Sequence, residues 1–187
     1  MRKTLFTPLY LSVLLLATSA CDLFNEAVEG IGQFTQFEME YNTSVTIPSS
    51  AGINLPFNVQ TPPVETNTES EMSVNNTHKD LLEEVTLRSL ILTVDQPSNG
   101  DFSFLESIEV YITAEGLSEA RIAYANDVPA NQGATLELET TEQDLKDYIK
   151  AENFSLRIHT VTDEAILSDH EIGVATVFFV DAEILGQ

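Results

Sequence analysis

The sequence predicts an all-β protein, an antiparallel sandwich with one short helix near its C-terminal third. Three observations carry this prediction. Apolar residues recur at every second position through several segments, clusters of turn-forming residues separate those segments at short spacing, and the regular helices that a parallel sheet requires are missing. A hydrophobic content of 43%, with 10 Phe and 5 Tyr in 187 residues, is that of a chain able to bury one core.

The first strand is the clearest. Phe37, Met39, Tyr41, Val45 and Ile47 fall on alternate positions with Glu38, Glu40, Asn42, Ser44 and Thr46 between them. A turn at Pro48–Gly52 leads to a second alternating segment, Ile53, Leu55, Phe57 and Val59, and the two read as a hairpin, with Pro56 marking an edge or a bulge. Residues 60–72 are polar and proline-bearing and read as a mobile connection. Asn76 and Thr77 are placed to cap a helical turn over residues 79–84, which delivers the chain into a strand at Val85–Val94. After the turn Pro97–Gly100, strands follow at Ile108–Ile112, Ala120–Asn126, Thr135–Glu139, Phe154–Thr162 and Ile172–Val180. The helix lies between Thr135–Glu139 and Phe154–Thr162: Thr140 is placed to cap it, and Leu145, Tyr148 and Ile149 share one face. The core is expected from the sets Phe37/Met39/Tyr41, Ile108/Val110/Ile112, Phe154/Leu156/Ile158 and Ile172/Val174/Phe178.

Segments such as Leu90-Ile-Leu-Thr-Val-Asp-Gln-Pro97 and Phe104-Leu-Glu-Ser-Ile-Glu-Val-Tyr-Ile112 loosely resemble small immunoglobulin-like or stress-associated β-sandwich domains. That resemblance implies an immunoglobulin-like sandwich and carries no binding residues with it.

The N-terminus has the order that export needs: Arg2 and Lys3, an apolar run centred on Leu9–Ala17, then the small residues Thr18, Ser19 and Ala20. Pro8 interrupts the apolar stretch and Asp22 closes it, so it is too short for a spanning helix of ~20 residues. Cys21, the only cysteine, follows at once. Leu16-Ala17-Thr18-Ser19-Ala20-Cys21 resembles the cleavage box of bacterial lipoproteins, although Thr18 stands where that family usually carries Leu. The resemblance implies a signal peptide over 1–20, acyl chains on Cys21, a membrane tether over 21–33, a β-sandwich over 34–187, and residence in the cell envelope at the outer membrane.

All 30 acidic residues follow Cys21, with only six bases: Lys79, Arg88, Arg121, Lys146, Lys150 and Arg157. Such a surface repels phosphate backbones, which excludes nucleic acid as a partner. The carboxylates read either as a site for calcium or a basic partner or as a solvated, self-repelling surface suited to saline surroundings. The segment Asp95-Gln-Pro-Ser-Asn-Gly-Asp101 comes nearest to a calcium loop, but its oxygen ligands are wrongly spaced and no closing Glu follows.

None of the three histidines sits in a catalytic box. A hairpin with its turn between Glu164 and Ala165 would set His159 opposite His170, ~5 Å apart and within reach of one metal ion, though a third ligand is unnamed. Tyr111 is the best exposed aromatic candidate, on the face opposite Ile108, Val110 and Ile112. Asn42, Asn75 and Asn153 head Asn-x-Ser/Thr triplets, which behind a bacterial leader read as chance. The sequence therefore points to a non-enzymatic lipoprotein, without cofactor or metal, that acts as an interaction or structural module with an envelope protein as partner. A carrier of a hydrophobic ligand between the sheets and a carboxylate-dependent hydrolase are its rivals.

Overall fold

The computed structural model describes residues 34–49 and 56–184. The expected signal peptide over 1–20 and tether over 21–33, with Cys21, lie outside the described residues. Residues Phe34–Gln187 form one compact unit.

Among the described residues, ten strands fold into two antiparallel sheets: β1 (Phe34–Ile47), β2 (Pro56–Gln60), β3 (Val64–Glu65), β4 (Leu82–Gln96), β5 (Leu105–Thr113), β6 (Ala120–Ala125), β7 (Thr135–Glu137), β8 (Glu139–Thr140), β9 (Asn153–Thr162) and β10 (His170–Glu183). The four-stranded sheet runs β1-β10-β4-β7; the six-stranded sheet runs β2-β9-β5-β6-β8, with β3 added on β9. The sandwich predicted from the alternating pattern is thus present.

Period two sets which side chains meet. Met39, Ile108, Val110, Ile112, Phe154, Leu156, Ile158, Ile172, Val174 and Phe178 are all buried between the sheets, while Phe37 and Tyr41 are half-buried against them. Tyr41, Phe154 and Phe178 form an edge-to-face triad across the gap, with centroids 5.3, 5.7 and 5.9 Å apart. Aromatic rings thereby fill the intersheet layer at this point.

The pairing of strands differs from the expectation in three places. β1 and β2 do not form a hairpin, because β1 pairs with β10 in one sheet and β2 with β9 in the other. β9 and β10 also belong to different sheets, so the chain between them crosses the sandwich instead of turning back. The predicted strand Thr135–Glu139 divides: β7 pairs with β4 and β8 with β6, and the buried Leu138 marks the change of sheet. β5 and β6 are the only consecutive strands paired among the described residues. The antiparallel sandwich expected from the sequence is present, and its immunoglobulin type is not confirmed.

Residues 60–72 are also more ordered than their composition predicts. They contain β3 and the start of a helix, α1 (Thr68–Val74), and Thr61, Thr66, Thr68 and Met72 are buried. Hydroxyls dock the segment. Thr61 Oγ1 accepts from the Leu156 N–H (3.0 Å), Thr66 Oγ1 donates to Ala151 O (2.7 Å), and Thr68 Oγ1 donates to Ile149 O. A 3-10 turn at Lys79–Leu81 follows, capped by the His78 ring rather than by Asn76 or Thr77. The later helix, α2 (Lys146–Lys150), buries Leu145 and Ile149 as predicted, but Thr140 belongs to β8. Asp144 instead ties the start of the helix to β4, its Oδ1 accepting from the N–H groups of Lys146 (3.0 Å) and Val85 (3.1 Å).

Candidate functional site

The outer face of the six-stranded sheet collects polar and aromatic side chains from four strands. Tyr111 on β5 faces Arg157 on β9 and Arg121 on β6, and Glu109 faces His159 and Tyr124. A bulge between β5 and β6 produces this arrangement: Val110 opposes Ala123, Tyr111 opposes Arg121, and the intervening Ile122 is buried beside Ala123. Without the extra residue Arg121 would lie out of reach.

Both guanidinium groups of this plate are paired. Arg121 Nη1 donates to Glu109 Oε1 (2.5 Å), and its guanidinium lies 4.9 Å from the Tyr124 ring centroid. The Arg157 guanidinium covers Tyr111 at 4.3 Å and donates to Glu119 and to Asn58 Oδ1, each at 2.5 Å. The same Asn58 oxygen receives His159 Nδ1 at 3.0 Å, so that nitrogen carries the proton. Tyr111 Oη donates to Glu109 Oε2 at 2.9 Å.

The electrostatics follow from these contacts. The hydrogen bond from Arg121 holds the Glu109 carboxyl below its ordinary value, and Tyr111 assists. Burial and the bond to Glu109 push the Tyr111 phenol up. A general acid at neutral pH needs a carboxyl moved upward, and Glu109 moves the other way. Asp101 and Asp169 are lowered as well, by bonds from Ser103 and from the Ser49 N–H respectively. These are the shifts of structural acceptors.

The two histidines considered as metal ligands are separated by the fold. His159 sits on the outer plate, whereas His170 is buried against Phe104, with ring centroids 5.0 Å apart and Nδ1 2.8 Å from Ser168 O. The cause is the crossing between β9 and β10, which puts the two residues on different sheets. Among the described residues no group of three His, Cys, Asp or Glu side chains is placed to hold a metal ion. Asp95 and Asp101 belong to no such group among the described residues. Asp101 caps its own turn through Ser103 (3.1 and 2.6 Å), and Asp95 lies over Gly173, where an added Cβ would come within 2.8 Å of its Oδ2.

A surface depression of about 520 Å³ opens beside α1, lined by residues 65–70 and 150–153 with Lys79. Lys79 is paired there with Glu69 at 2.9 Å. No helix among the described residues is long and apolar enough to cross a membrane. Asn42 and Asn153 are exposed on strands and Asn75 follows α1. The alternation of the sequence puts Tyr111 on the outward face, and it holds no sign of the bulge that brings Arg121 to it.

No family model and no curated protein matches this chain. Among solved structures, it is similar to a capsid chain of cyanophage Pam1, with 13% identity over 80% of this chain and 87% of that one and a TM-score of 0.39. It is similar to FlhE at 9% identity, covering 78% and 97% of the two chains, with a TM-score of 0.33. For desmodium yellow mottle tymovirus the identity is 11%, the coverage 82% and 91%, and the TM-score 0.29. Likeness at this level carries nothing about function.

Proposed function

We propose that this chain is a non-enzymatic lipoprotein, held on the bacterial outer membrane by acyl chains on Cys21 and acting as an interaction or structural module of the envelope. The address rests on the charged, apolar and small-residue order that ends at the sole cysteine. Residues 22–33 then join that anchor to the sandwich. The observation that carries the interaction reading is the state of the cations. Lys79, Arg88, Arg121, Lys146 and Arg157 are paired with Glu69, Glu38, Glu109, Asp144 and Glu119 of the same sandwich. What the domain offers to a partner is therefore an excess of carboxylate. The aromatic triad between the sheets weighs against the carrier alternative, and the downward shift of Glu109 weighs against the hydrolase.

The winding is best read as a jelly roll in place of the immunoglobulin type. β1·β10 continues across the gap as β2·β9, β10·β4 continues as β9·β5, and β4·β7 continues as β5·β6, which describes one long ribbon rolled on itself. Cell fractionation tests the address: Cys21→Ser should move the protein out of the membrane fraction. Recovery of that variant in the membrane at the wild-type level would contradict it.

A further inference from the structure

The outer face of the four-stranded sheet is built unlike the paired plate opposite. β10 turns Ala175, Val177 and Phe179 outward, all half-buried, and Ile91 of β4 lies across from Ala175. The stripe is flanked by acids at registered positions. Glu38 opposes Phe179 and Glu40 opposes Val177 from β1, and Glu137 opposes Ile91 from β7. At one end Asp181 and Glu84 oppose each other directly, an arrangement that repels unless a cation comes between. Asp181 Oδ2 accepts from Gln36 at 3.3 Å, while its Oδ1 is buried with no donor among the described residues. Arg88 is the base on this face, 5.9 Å from the Phe179 centroid, and Glu38 holds it at 2.7 Å.

We propose that this face docks a protein surface with an apolar centre and a rim of Lys and Arg, the apolar part covering Ala175, Val177, Phe179 and Ile91 and the cations meeting Glu40, Glu137, Glu84 and Asp181. The inference rests on the interaction reading above and adds the surface and the class of partner. Charge complementarity selects the occupant. A second copy of this chain would bring an identical acidic rim, and an anionic lipid surface would be repelled in the same way.

The test uses the mature chain in detergent and a short strand-forming peptide alternating Val and Lys that carries one benzophenone, beside a sibling alternating Val and Glu. After irradiation, adduct sites are mapped by mass spectrometry. The Lys peptide should label Ile91, Ala175, Val177 and Phe179, and Glu40→Lys with Glu137→Lys should lower that yield by about fivefold or more. The same charge change at the distant exposed Glu115 and Glu164 should lower it by less than about twofold, since screening over ~10 Å confines the effect to neighbours. Phe179→Ser should weaken labelling with the acidic rim intact. Adducts spread evenly over the domain, equal loss from both charge pairs, or crosslinks between two copies or to lipid would overturn the proposal. Labelling of the six-stranded face would overturn it while leaving the interaction reading in place. No preference for the Lys peptide anywhere would remove both, and neither result depends on Cys21.

Discussion

A single side chain in this sandwich is valued by the face it occupies. Phe178 is fully buried and touches both other rings of the aromatic triad, so Phe178→Ala should cost about 3–5 kcal/mol, while Val177→Ala, one residue away on the outer face, should cost within about 0.5. Urea melts of the two variants measure this directly, and equal losses would mean that the phase of β10 is wrong. Glu109 gives a pH-dependent counterpart. Its folded carboxyl titrates below the ordinary 4.5 because Arg121 donates to it. The stability it contributes is thus fully present above the unfolded value and is lost as pH falls from there through the lower folded value. Glu109→Gln should therefore flatten the acid limb of a stability–pH curve, and a limb as steep as that of the wild type would show the pair to be idle.

At the scale of elements, phase was legible in the sequence and pairing was not. Period two placed Met39, Val110, Leu156 and Phe178 inward because each residue reports its own burial. Partners are chosen elsewhere in the chain: strand, turn, strand is written alike for a hairpin and for a crossing between sheets. That ambiguity turned β1–β2 and β9–β10 into expected hairpins and brought His159 to His170 on paper. The 60–72 segment was misread for a related reason, since Thr61, Thr66 and Thr68 look like loop residues until their hydroxyls are seen replacing backbone partners. Engineered disulfides separate the two topologies. Asn42→Cys with Ala175→Cys, registered partners on β1 and β10, should crosslink under oxidation, whereas His159→Cys with His170→Cys should remain reduced. The reverse pattern would restore the hairpin.

Over the whole molecule, the decisive quantity is the excess of acid. With 30 carboxylates following Cys21 and five of the bases already paired inside the sandwich, self-repulsion opposes folding and salt relieves it. The melting midpoint of the mature chain should rise with chloride up to ~0.5 M and then level, as screening saturates. A flat or falling midpoint would mean that bound cations already neutralise the surface. The most direct measurement is the mass of the mature N-terminal peptide isolated from the cell envelope. The account requires that it begin at Cys21 and carry diacylglycerol on the sulfur. A peptide that begins elsewhere, or one whose Cys21 is a free thiol, would contradict the lipoprotein assignment.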